Sequence, residues 1–376
     1  MSSLNSYIDH FKKIYVAGEV RHLRRLETAL ERLRHLPVIY VDDKSEIPGE
    51  DMNSHTLFIS GSKGETVGHC PASRGHLCCN YITVDLYLGC IINCSYCIMK
   101  SYLNFAPITI YLDTEVAIKR IIEIAENNKG RTIRVGTGEV GDSLLLDPVF
   151  RLSEDFIRAL SPFANIFLEL KTKTHFVDHL LDLENKGNTV ISFSLNPEKL
   201  ISRYEGIAST LAERVQAARK IVEHGYLVSF HFDPLFLTGD WQNQYAQTIS
   251  SLKDIPQDRI AWISLGTMRY TKELKQKMGS QDFLLEEFIP CRDGKYRYLQ
   301  KTRSGVYRYI LKHIRKRWRS PIPVYLCMES QAVWRNVFGR LPHEIAELSA
   351  IFKEAQGCLP YPASTSTCGA DVKRFE

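Results

Sequence analysis

"YITVDLYLGCIINCSYCIMK", residues 81–100, joins two different patterns without a spacer. The first eight residues are apolar and β-branched, as in a strand buried on both faces. The rest sets Cys90, Cys94 and Cys97 within eight positions, immediately beyond that strand. Three is an awkward number, because a closed zinc site wants four ligands and a disulfide framework an even count. In a parallel barrel these thiols would lie at the C-terminal strand ends, where such folds build active sites. The strand's neighbours therefore decide the reading.

Five more strand candidates follow: "TIRVGTG" (132–138), "NIFLELK" (165–171), "TVISFSL" (189–195), "LVSFHFD" (227–233) and "RIAWISLG" (259–266). Amphipathic stretches at 113–128, 153–163, 175–187, 211–225 and 241–254 separate them and read as helices. Asp113 is the expected N-cap of the first, and Gly187 and Gly225 close the third and fourth. Six strands joined by five helices predict a parallel sheet with right-handed crossovers, either curled into a partial barrel or open and doubly wound. Polar residues cluster at the strand ends: Glu139, Asp142, Lys171, Lys173, Ser194, Asn196, His231 and Asp233. The spacing of His231 and Asp233 puts them on one face, inward or outward.

The flanks are less regular. Residues 1–80 read as a mixed α/β segment with one strand, "PVIYVD" (37–42), packing on a barrel domain of residues 81–275. "GSKGETVG" (61–68) reads as a loop, since no strand leads cleanly into it. Residues 276–376 form a basic, aromatic helical extension, expected to cover the substrate, with a tail rich in turn formers. Apolar residues make up 44% and charged residues 24%, the balance of a folded soluble protein. Charges recur through the first 30 residues, and no run of about 18 apolar residues occurs, so a cytoplasmic location without membrane contact is expected.

In a reducing compartment, clustered thiols read as metal ligands or redox groups. Cys70, Cys78 and Cys79 are the other cluster, whereas Cys291, Cys327, Cys358 and Cys368 read as inert thiols. The net charge of +5 is mild. Two basic runs, 20–36 and 309–319, are either solvated helix faces or surfaces for nucleic-acid phosphates.

Three thiolates converging from one loop suit an iron–sulfur cluster, zinc or copper(I). A four-iron cubane held by three cysteines leaves one iron for a non-protein ligand. At this point the sequence resembles the radical S-adenosylmethionine superfamily, whose signature is Cys-x3-Cys-x2-Cys with an aromatic residue, here Tyr96, before the last cysteine. The resemblance implies a partial (β/α)6 barrel and a 4Fe-4S cluster on Cys90, Cys94 and Cys97. It also implies S-adenosyl-L-methionine on the open iron, and a one-electron reductant such as flavodoxin or ferredoxin. Reductive cleavage would then give methionine and a 5′-deoxyadenosyl radical, with no general acid or base in that step.

Within the superfamily the chain is similar to the spore photoproduct lyase family. "CPAS" (70–73), "VDHLLDLENKGNTVISFSLNPE" (177–198), "LAERVQAARKIVEHGY" (211–226) and, more weakly, "RYTK" (269–272) carry the resemblance. By position it assigns Lys173, Ser194 and Asn196 to the cofactor pocket, with Tyr96 near the adenine. "GTGE" resembles the superfamily's glycine-rich contact to the methionyl amine, which makes Glu139 the expected partner of that ammonium. Asp142 reads as the cap of "SLLLDP" ahead of a ribose contact.

Two departures limit the resemblance. The lyase's hydrogen-donating cysteine aligns with Glu139, and the tyrosine after its third cluster cysteine is here Ile98. The expected function is therefore a lyase-like radical enzyme with an unassigned substrate. The alternatives are a true lyase repairing thymine dimers in DNA, and a non-enzymatic zinc or iron–sulfur module contacting nucleic acid.

Overall fold

The computed structural model describes residues 4–62, 66–70, 72–73, 75–102, 106–319 and 321–352. Cys358 and Cys368 lie outside the described residues, as does part of "GSKGETVG". The six expected strands form β1 (Ile82–Val84), β2 (Ile133–Gly136), β3 (Ile166–Thr172), β4 (Thr189–Ser194), β5 (Leu227–Leu235) and β6 (Ile260–Thr267). They lie side by side in chain order and pair in parallel. A seventh strand, β7 (Val324–Leu326), adds in parallel to β6, and Val67–His69 pairs antiparallel with β1. Every residue of β4 is buried, as in a strand covered on both faces.

The sheet is curled. In a flat sheet β2 and β6, four strands apart, would be separated by about 19 Å. Instead the Arg134 guanidinium of β2 lies 4.0 Å above the Trp262 ring of β6 and donates to the Tyr325 hydroxyl of β7 at 3.2 Å. This half-barrel resolves the choice between curled and open sheets.

Four helices match the expected ones: Glu115–Glu126, Leu152–Leu160, Leu211–Glu223 and Trp241–Ser251. The third begins with a capping box between Thr210 and Glu213 and ends before Gly225, whose φ of +88° suits the left-handed C′ position. The expected helix over 175–187 is absent, and only the turn Asp178–Leu180 forms. Val177, Leu180 and Leu183 are buried at a spacing of three, the period of a 3-10 turn. Asp113 does not cap the first helix but accepts from the Ser62 amide and hydroxyl at 2.7 and 2.6 Å.

The single strand expected over 81–88 is split. Ile82–Val84 joins the barrel, whereas Tyr87–Leu88 pairs antiparallel with Ile108–Tyr111 in a second, five-stranded sheet. That sheet also holds Lys13–Ala17, Val38–Val41 and Thr56–Ser60, three strands where one was expected. Both faces are buried from Tyr81 to Tyr87, so no alternation marks where the pairing switches. The C-terminal region, expected as a helical extension, contains the long helix Gln300–Arg317 but is not purely helical. Arg269–Thr271, Phe288–Pro290 and Lys295–Tyr298 form a three-stranded antiparallel sheet, too short to stand out by period.

Candidate active site

The three-cysteine loop leaves the barrel edge through Gly89, whose φ of +91° turns the chain, and through Asn93 in the left-handed region. The loop is stapled to the segment after helix Glu198–Tyr204. Ser95 N–H donates to the Tyr204 carbonyl at 2.8 Å, and Ile207 N–H to the Ile92 carbonyl at 3.4 Å. A Cβ on Gly206 would stand 2.0 Å from that carbonyl, so only glycine permits the approach. Cys94 is buried, and Cys90 and Cys97 are half-buried. Burial pushes the Cys90 and Cys97 thiols up, and that of Cys94 to about 12, with the Lys173 ammonium opposing at Cys94 and Cys97.

Behind the loop lies Glu205, with no exposed side-chain surface. It accepts from the Tyr96 hydroxyl, from Asn196 Nδ2 at 2.9 Å and from Arg214 at 2.6 Å, with Lys173 Nζ 3.6 Å away. Burial alone would raise this carboxyl, but the Arg214 and Lys173 charges and the hydrogen bonds hold it down to about 2. Arg214 also donates to the Ser194 carbonyl at 2.7 Å, and Tyr245 donates to Asn196 Oδ1 at 2.9 Å. Tyr96, Lys173, Ser194 and Asn196 thus gather around one buried ion pair. Both ends of the Asn196 amide are engaged within the protein.

Glu139 belongs to a different group. It pairs with Lys171 Nζ of β3 at 3.1 Å. The glycines before it serve internal packing: a Cβ at Gly136 would collide with the Tyr81 hydroxyl at 1.6 Å, and one at Gly138 would meet Lys171 Cβ at 2.7 Å. Asp142 is the cap that was read, accepting from the Leu144 and Leu145 amides at 3.0 Å, and also from Lys173 N–H at 2.7 Å. His231 faces inward, 2.7 Å from Glu169 of β3. Ser192 and Trp262 donate to the same oxygen at 2.6 and 3.1 Å, and Arg134 to the other at 3.3 Å. Asp233 pairs with Arg269 through two contacts at 2.9 and 3.1 Å.

Glu205, Arg214, Glu169 and Arg134 were not singled out from the sequence. Arg214 was detectable, since it falls in the buried stripe with Ala218 and Ile221 at helical spacing. Arg134, Glu169 and His231 each interrupt an otherwise apolar strand, a pattern that signals a polar barrel interior. Glu205 carries no such mark.

The donor set fits an iron–sulfur cluster. Three soft ligands come from one loop, and the mutual influence of the Cys90, Cys94 and Cys97 thiols places them together. Half-barrel and terminal thiol loop together define the class, the radical S-adenosylmethionine partial barrel. The chain belongs to the spore photoproduct lyase family: the family model described as Spore photoproduct lyase matches residues 76–317.

Spore photoproduct lyase of Bacillus subtilis (strain 168) is 29% identical over 175 residues, 45% of this chain and 50% of that protein. The Clostridium acetobutylicum (strain ATCC 824) protein of the same name is 25% identical over 239 residues, 62% of this chain and 69% of its own length. The chain thus spans about half the length of the Bacillus relative it matches. Among solved structures, spore photoproduct lyase complexed with dinucleoside spore photoproduct superposes with a TM-score of 0.72 at 18% identity, covering 84% of this chain and 98% of that one. A double mutant of the lyase with bound AdoMet and dinucleoside spore photoproduct gives 0.72 at 18%, covering 85% and 99%.

Proposed function

We propose that this chain is a radical S-adenosylmethionine enzyme, lyase-like in its radical-generating half, acting on a substrate other than the spore photoproduct. The observation that carries the reading is the stapled loop that presents Cys90, Cys94 and Cys97 beyond β1, beside the Glu205 ion pair. These three residues would hold a 4Fe-4S cluster and leave one iron for S-adenosylmethionine. When bound, the pair supplies an electron and a sulfonium whose reductive cleavage yields a hydrogen-abstracting radical.

This chain's own residues position and insulate. Tyr96 and Asn196, fixed by Glu205, form a rigid wall, and the Lys173 ammonium is the cation available to a cofactor carboxylate. Glu139 would receive the methionyl ammonium by sharing its carboxylate with Lys171. The electron would come from a flavodoxin- or ferredoxin-type reductant in the cytoplasm. Among the described residues no helix is long and apolar enough to cross a membrane. Anaerobic reconstitution should give the optical and paramagnetic signature of a four-iron cluster, lost on Cys94→Ala. Uptake of one zinc and no iron would overturn the reading.

The second reading is repair of spore photoproduct, supported by the names of the relatives. Ile98 and Glu139 weigh against it, because they stand where the lyase's donor residues align. Irradiated spore-type DNA separates the two. Thymine recovery would establish the second reading, whereas cofactor cleavage without thymine supports the first.

A further inference from the structure

The turn that follows the last cysteine of the thiol loop is covered by a short helix. Cys97 leads into the 3-10 turn Ile98–Ser101, and Lys100 N–H donates back to the Cys97 carbonyl at 3.1 Å. Such a turn rises about 2 Å per residue, so Lys100 stands about 6 Å along it from the cysteine. Helix Lys272–Met278 packs on this turn through its buried Leu274 and Met278 side. The Ser101 and Thr271 hydroxyls share a hydrogen bond at 2.8 Å where the helix begins, and Lys277 Nζ donates to the Lys100 carbonyl near its end.

The outward side of this helix is cationic. Lys272, Lys275 and Lys277 are exposed, and Lys100 is half-buried beside them. Lys272 and Lys275 stand three residues apart, where like charges repel, and neither forms an ion pair with a carboxylate among the described residues. The one acid of the helix, Glu273, is turned back on its own segment. Hydrogen bonds from its own amide and from the Thr271 hydroxyl hold its carboxyl below the usual range, with the Lys272 charge contributing least. The next acid along the chain, Asp282, is taken by Arg203.

Exposed lysines alone are ordinary; the place of these is not. The electron that starts the proposed chemistry comes from outside the chain, and this turn joins the surface directly to a cluster cysteine. We propose that the Lys100, Lys272, Lys275 and Lys277 face is the docking site of an acidic, flavodoxin-type protein reductant, whose electron enters through the Cys97–Ser101 turn. The transfer is of one electron: the flavin of the reductant is oxidised by one, the cluster is reduced by one, and no bond is made or broken. An acidic partner complements four cations, and such complementarity governs encounter rate and orientation more than raw affinity. The patch is built of lysines, which act as point charges, rather than of the arginine forks that clasp phosphates. The inference rests on the proposed radical enzyme and names the face through which it is reduced.

The test uses the full chain, reconstituted under anaerobic conditions, with an acidic flavodoxin as the probe. Two signals are read: flavodoxin affinity by calorimetric titration, and the rate at which fully reduced flavodoxin bleaches the cluster in stopped flow. Lys272→Glu/Lys275→Glu should lower both by at least about tenfold and flatten their dependence on salt. Bleaching by dithionite, which needs no docking face, should stay within about threefold of wild type. Lys312→Glu/Lys316→Glu makes the same change of net charge on exposed residues of the helix Gln300–Arg317 and should leave flavodoxin affinity within about threefold.

Undiminished flavodoxin affinity in the folded Lys272→Glu/Lys275→Glu protein would overturn the docking face, and so would an equal loss in the Lys312→Glu/Lys316→Glu control. A fall in duplex-DNA affinity in place of flavodoxin affinity would assign the lysines to nucleic acid and overturn it too. 5′-Deoxyadenosine formed with dithionite by the same preparation separates the two ideas. Cleavage with lysine-independent flavodoxin binding removes the docking face alone, and lysine-dependent binding without cleavage removes the radical enzyme alone.

Discussion

Glu205 has its charge matched from two sides, by Arg214 and Lys173, and its oxygens further engaged by Tyr96 and Asn196. Glu205→Gln leaves a buried guanidinium without its counter-ion and should cost about 3–5 kcal/mol in denaturant unfolding. The same carboxylate sets a pH dependence. Its folded value, about 2, lies below the ordinary 4.5, so its contribution is complete above pH 4.5 and is lost as pH falls toward 2. That contribution is on the order of 3 kcal/mol. Unfolding midpoints of wild type and Glu205→Gln between pH 6 and 2.5 should therefore converge as the acid rises; parallel curves would remove the assignment. The sequence displayed Tyr96, Lys173, Ser194 and Asn196, because they stand at strand ends or inside a motif. It hid the carboxylate that gathers them, since an acid in an exposed-looking turn has no periodicity to violate.

The three-cysteine loop depends on one glycine in a distant element. Gly206 adopts a φ of +50° and touches the Ile92 carbonyl, so Gly206→Ala both strains its own backbone and pushes the loop. The expected result is about 1–3 kcal/mol of lost stability with a disproportionate fall in iron and sulfide bound per chain. Normal iron content in the folded variant would show that the staple does not shape the site. Strands and long helices were legible from apolar period and capping residues, as Thr210 with Glu213 illustrates. Residues 175–187 were not, because an apolar spacing of three fits a face of an α-helix as well as a 3-10 turn. Tyr87–Leu88 was hidden for a different reason: a strand buried on both faces carries no mark of which sheet claims it.

The curl of the barrel joins β2, β3, β5, β6 and β7 through Glu169, Arg134, His231, Trp262 and Tyr325. Trp262 is buried, packs against Phe167 and Arg134, and donates to Glu169. Trp262→Ala should cost about 3–5 kcal/mol, read as a shift in urea midpoint without loss of secondary structure. The fold class was visible because six apolar segments alternate with amphipathic ones, and the thiol loop follows the first. The antiparallel sheet was not visible, because it depends on pairing between residues far apart in the chain. Cys90, Cys94 and Cys97 are proposed to hold a cluster that cleaves S-adenosylmethionine. The direct measurement is 5′-deoxyadenosine formed by reconstituted, dithionite-reduced protein under strict anaerobiosis. Wild type should form it, and Cys94→Ala none. Equal amounts in both, or none from iron-loaded wild type, would contradict that assignment.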